Sequence, residues 1–133
     1  MLVKNLKTIR VEITNKCNAR CPGCSRTHNG QTHPDLNMLE ISLDQFKKIF
    51  PPNAIKDKGF GFSGVYGDPG MAKDIISICE YLLDNNPSKI WLDTNGGMQT
   101  EEFWYKLSQL SFKHNHKLNV GFNIDGYKDT NHI

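Results

Sequence analysis

Apolar and polar residues alternate over residues 8–14. Ile9, Val11 and Ile13 point one way and Arg10, Glu12 and Thr14 the other, the period-two pattern of a strand. Three more short runs read the same way: 58–64 (KGFGFSG), 89–94 (KIWLDT) and 118–124 (LNVGFNI). Between them the period lengthens to that of helices. Ser42 followed by Gln45 forms a capping box, with Ile41 and Phe46 placed to staple it. Leu43, Phe46, Ile49 and Phe50 supply the apolar face, and Pro51 stops the helix. In AKDIISICEYLLDNN, Ala72, Ile75, Ile76, Cys79, Leu82 and Leu83 fall on one stripe. A third helix opens at Thr100, carries Glu101 and Glu102 in its first turn, and buries Phe103, Leu107 and Leu110.

Strand and helix alternate with a repeat of roughly thirty residues, which implies right-handed βαβ units and a parallel sheet. The expected fold is α/β, one domain over residues 1–133, with four strands and three helices and no linker or low-complexity segment. In such sheets ligands sit beyond the carboxyl ends of the strands. After the first strand come Cys17, Cys21 and Cys24; after the others come GVYGDPG, NGG and DGYKD. The cysteines therefore share one rim with three glycine-bearing turns.

Composition narrows the partners. The 16 Lys and Arg and 14 Asp and Glu leave a formal charge of +2, with both signs interspersed, so no nucleic-acid footprint stands out. No run approaches the roughly 20 apolar residues of a membrane span, and the start lacks the apolar stretch of a secretory signal. A cytoplasmic location is expected, with no membrane partner. Clustered cysteines in that compartment point to metal or catalytic chemistry rather than disulfides. Cys79 is set apart on its helix stripe and reads as a buried thiol.

The cysteine spacing is C-x3-C-x2-C. A structural zinc ion needs four ligands, the fourth from a histidine such as His28, His33, His114 or His116. A dithiol redox motif would use Cys21 and Cys24 and leave Cys17 without a role. On a four-iron cluster, three thiolates leave one iron without a protein ligand, whereas an electron-transfer ferredoxin supplies a fourth cysteine. An open iron is a place for a small molecule.

CNARCPGC, following a strand that contains VEIT, resembles the signature of the radical S-adenosylmethionine (radical SAM) superfamily. The resemblance implies that Cys17, Cys21 and Cys24 hold a [4Fe–4S] cluster and that S-adenosylmethionine chelates the fourth iron. An electron from an external donor then cleaves the cofactor to a 5′-deoxyadenosyl radical, which abstracts hydrogen from a substrate. That substrate is not legible. Tyr66-Gly67-Asp68-Pro69 is similar to the family's Gly-Gly-Glu turn that meets the methionine amino group. Thr94 and Asn95, in TNGG, and Asn123 and Asp125, in NIDG, are similar to the ends of its third and fourth strands. These residues are the implied cofactor contacts. Two departures stand out: Gly23 replaces the family's aromatic residue before the third cysteine, leaving only backbone for the adenine, and Asp68 replaces the glutamate.

The implied architecture is a partial parallel (β/α) barrel, here truncated after about four strands where the family has six. The expectation is the N-terminal portion of a larger enzyme, which self-associates or pairs with a completing chain. The rivals are a non-catalytic iron–sulfur or zinc binding module and an inactive truncated fragment. Arg10 and Glu12 share a strand face, either touching substrate or pairing with each other. Trp91 and Trp104 are expected in the core, and the histidines in surface loops.

Overall fold

The computed structural model describes residues 6–124 and Gly126. Four parallel strands form one sheet: β1 (Thr8–Val11), β4 (Gly59–Phe62), β5 (Lys89–Thr94) and β6 (Leu118–Phe122), in that spatial order. An antiparallel hairpin, β2 (Thr27–His28) with β3 (Gln31–Thr32), follows the cysteines. The helices are α1 (Leu43–Ile49), the single turn α2 (Pro52–Ile55), α3 (Ile75–Asp84) and α4 (Glu101–Lys113). The expected four-stranded parallel sheet is present, an open sheet of the partial-barrel kind.

Register explains the layers. Val11, Phe62, Leu92 and Val120 lie side by side across the sheet, and their neighbours Phe60, Ile90 and Leu118 point the same way. This face packs against Phe46 of α1, Ile55 of α2, Ile78, Cys79 and Leu82 of α3, and Leu107 of α4. Each large side chain so buried contributes about 1.5–3 kcal/mol. The opposite row is Arg10, Gly61, Trp91 and Asn119. Thr8, Arg10, Gly61, Trp91 and Asp93 line a polar depression of about 370 Å³ there. Trp91 is therefore not a core residue. It is 37% exposed on the open face, because strand alternation sets it opposite Ile90 and Leu92. Trp104 is only partly buried, edge-on to Phe103 and Phe122.

Several boundaries differ from the pattern reading. β1 ends at Val11 rather than Thr14, because Ile13 and Thr14 turn to pair with the segment entering α1. The Ile41 amide donates to the Ile13 carbonyl (2.8 Å), and Thr14 bridges Glu40. The Ser42–Gln45 capping box forms as expected. Pro51 does end α1, but Pro52 at the first position of α2 starts another turn, since a missing N–H costs nothing there. α3 begins at Ile75, with a 3-10 turn at Pro69–Met71 ahead of it. His114 is no loose loop residue: it caps α4, with its ring 3.7 Å from Asp84. β6 stops at Phe122, short of Ile124, and Asp125 lies outside the described residues. Between α4 and β6 runs an apolar groove lined by Trp104, Leu107, Phe112, Leu118, Val120 and Phe122. No described helix is long and apolar enough to cross a membrane.

Candidate iron–sulfur and cofactor site

All four main strands run toward one rim, where the segments after Val11, Phe62 and Thr94 meet. Cys17, Cys21 and Cys24 lie there as free, partly exposed thiols. The Cys24 amide donates to the Cys21 carbonyl (3.1 Å) and the Thr27 amide to the Cys24 carbonyl (2.9 Å), so the CPGC segment is a closed turn leading into the β2–β3 hairpin. Asn29 and Gly30 both have positive φ at the hairpin tip. That Asn-Gly pair was the available signal for an element the periodicity reading passed over.

The cysteine loop is clamped to the turn after β4. Gly67 sits so close that a Cβ there would fall 2.1 Å from the Thr14 carbonyl oxygen, and one on Gly64 would fall 2.0 Å from the Gly67 carbonyl oxygen. No other residue permits this approach of two backbones. The Asp68 amide donates to the Lys16 carbonyl (2.7 Å). Arg26, buried and named by no motif, donates to the Asn15 carbonyl, the Tyr66 carbonyl (3.3 Å) and Thr32 Oγ1 (3.3 Å). It joins the loop, the turn and the hairpin. Glu12 Oε1 accepts from the Tyr66 (2.7 Å) and Gly67 (3.0 Å) amides. Glu12 thus holds the turn and does not pair with Arg10, whose guanidinium reaches Ser63 instead (3.4 Å).

Asp68 is a hub rather than a free carboxylate. It is 6% exposed and accepts from Thr94 Oγ1 (2.6 Å), the Asn95 amide (2.6 Å) and the Gly70 amide (2.7 Å). Thr94, also buried, accepts in turn from the Gly96 amide (3.1 Å). These two side chains, expected as cofactor contacts, lock the turn after β4 to the end of β5. Pro69 is buried in the 3-10 turn that Asp68 caps. Asn95 extends the lock to the cysteines: its Nδ2 donates to Asn18 Oδ1 (3.0 Å) and lies 3.6 Å from Cys17 Sγ. Tyr66 and Asn123 keep exposed side chains, the Asn123 amide donating to the Thr94 carbonyl (2.8 Å). A Cβ on Gly23 would meet nothing within 4 Å, so open space lies beside the third cysteine.

Burial pushes the Cys17 thiol above its ordinary value; the Ala19 amide opposes this, the Asp68 charge adds to it, Arg26 opposes it and Cys21 adds to it. Ligation there must expel a proton. Among the described residues no three His, Cys, Asp or Glu side chains converge as ligands of one metal ion. A four-iron cluster does not ask for that convergence, since each thiolate attaches to its own corner. Three free thiols on one clamped loop, with open space beside them, fit such a cluster.

Comparison with known proteins adds independent support. No family model matches the chain. It is 30% identical over 95 residues to the probable GTP 3′,8-cyclase of Methanocaldococcus jannaschii, covering 70% of this chain and 30% of that protein. It is 28% identical over 100 residues to the GTP 3′,8-cyclase of Desulforamulus reducens, covering 74% of this chain and 30% of that protein. With the probable GTP 3′,8-cyclase of Methanococcus maripaludis it shares 27% identity over 143 residues, covering 94% of this chain and 44% of that protein. The crystal structure of BtrN in complex with AdoMet and 2-DOIA superposes with a TM-score of 0.62 at 16% identity, covering 89% of this chain and 57% of that one. The chain belongs to the radical SAM superfamily. This radical SAM chain spans 30% to 44% of the length of the curated relatives it matches. Its likeness to BtrN speaks to fold.

Proposed function

We propose that Cys17, Cys21 and Cys24 hold a [4Fe–4S] cluster with one open iron for S-adenosylmethionine, and that the chain is the N-terminal portion of a radical SAM enzyme core. The observation that carries this is the clamped loop: three free thiols at the carboxyl-end rim of a parallel sheet. When bound, cluster and cofactor together supply one-electron chemistry, fed by an external donor, that ends in hydrogen-atom abstraction. The chain's own residues supply placement. Arg26 and Gly67 hold the cysteine loop against the turn, Glu12 fixes the Tyr66 and Gly67 amides, and Asp68 ties that turn to Thr94 and Asn95. With Asp68 and Thr94 committed to each other, and the Tyr66 backbone and Gly67 amide committed to Glu12 and Arg26, the groups left for the cofactor are the backbone of Gly23, the Gly67 carbonyl and the side chain of Asn123. Substrate is assigned to the open sheet face below the rim, between Arg10 and Trp91.

Anaerobic reconstitution tests the reading. The expected product carries four irons and four sulfides per chain, as the family resemblance implies. Alanine at Cys17, Cys21 or Cys24 removes most of the iron, and Cys79→Ala retains it. S-adenosylmethionine alters the electron paramagnetic resonance spectrum of the reduced cluster. Retention of zinc in place of iron, or loss of iron in Cys79→Ala, refutes the three-cysteine cluster. A spectrum indifferent to S-adenosylmethionine refutes the open iron.

A further inference from the structure

We infer that Asn95 is a positioning residue that raises the reduction potential of the cluster through a hydrogen bond to Cys17, rather than a contact for the cofactor; this rests on the cluster reading above. The amide can sit only one way round. Its Oδ1 accepts from the Gly97 amide (2.8 Å), which identifies the oxygen and turns Nδ2 toward Asn18 Oδ1 (3.0 Å) and Cys17 Sγ (3.6 Å). Flipped, it would set an NH2 group against the Gly97 N–H and a carbonyl oxygen against both Asn18 Oδ1 and the sulfur. One N–H therefore serves Asn18 and the other is aimed at the sulfur.

The residue is held before any cluster arrives. The Asn95 backbone amide donates to Asp68 Oδ2 (2.6 Å), and Asp68 is itself fixed by Thr94 and Gly70. Among the described residues Cys17 is the one cysteine of the loop with a side-chain N–H donor. Cys24 Sγ instead faces the Val65 carbonyl at 4.0 Å. Reduction of the cluster adds negative charge that spreads onto the ligating sulfurs. An N–H dipole directed at one of them stabilises the reduced form more than the oxidised form, which is how hydrogen bonds to sulfur tune such centres.

The test is a redox titration of the reconstituted wild-type chain and of Asn95→Ala and Asn95→Asp, followed by electron paramagnetic resonance, with iron and sulfide measured on each sample. Asn95→Ala is expected to lower the equilibrium constant for reduction about tenfold, which for one electron is 59 mV toward negative potential. Asn95→Asp keeps the acceptor for Gly97 but turns an anionic oxygen toward the sulfur, so its midpoint falls below that of the alanine variant. An unchanged midpoint in either variant at full iron content overturns the inference while leaving the cluster reading intact. If neither variant takes up iron although wild type does, Asn95 only shapes the loop, and the inference is overturned again. A wild-type chain that binds no cluster overturns both.

Discussion

Replacing Asp68 with alanine removes an acceptor that three donors share, and the structure gives the cost. The donors are Thr94 Oγ1 and the Asn95 amide, each at 2.6 Å, and the Gly70 amide at 2.7 Å. A hydrogen bond to a charged group contributes roughly 1.5–3 kcal/mol, and a buried donor left unpaired costs about 1–3 kcal/mol. These figures do not add, because desolvating the carboxylate already offsets part of what its bonds return. A net loss of about 3–5 kcal/mol is expected, because three buried neutral donors lose their acceptor at once. Against a typical stability of about 5–15 kcal/mol this is a large fraction. Asp68→Asn retains one oxygen for Thr94 and Gly70 and sets an NH2 group against the Asn95 amide, so roughly half the loss is expected. The assay is urea unfolding of the metal-free chain followed by tryptophan fluorescence, with stability read by linear extrapolation at matched slopes. A loss below about 1 kcal/mol for Asp68→Ala, accompanied by a vanished S-adenosylmethionine response, would refute the hub and return the carboxylate to the cofactor.

Two further outcomes follow from the packing. Gly67→Ala drives a methyl into the Thr14 carbonyl and should cost at least about 1–3 kcal/mol while lowering iron uptake; Gly23→Ala, pointing into open space, should change stability little. Urea curves and iron content on the two variants check this, and equal behaviour would refute the clamp. Burial pushes the Cys79 thiol from 9.0 to about 12. Above pH 9 the unfolded chain therefore ionises this thiol before the folded chain does, the folded state binds more protons, and stability falls as pH rises toward 12. The slope is about 1.4 kcal/mol per pH unit. Wild type should show this fall in excess of Cys79→Ala in paired urea titrations, with parallel pH profiles counting against a buried neutral thiol.

What was legible beforehand is what local spacing encodes. Strand alternation and helix period are set by backbone geometry alone, so the four strands, the capped α1 and the Cys79 stripe could be read without knowing their neighbours. The grouping of three free cysteines in one loop was legible for the same reason, since it is a matter of local spacing alone. The roles of polar side chains were not. Glu12 finds the Tyr66 amide 54 residues away, Arg26 the Tyr66 carbonyl 40 away, and Asp68 the Thr94 hydroxyl 26 away. A carboxylate at a turn looks the same in sequence whether it faces solvent, a cofactor or three buried donors. Trp91 shows the same limit: its hydrophobicity suggested the core, while the register of β5 put it on the open face. Periodicity is a property of a segment. A hydrogen-bond partner is a property of the folded whole, decided only when parallel pairing brings the ends of separate strands to one rim.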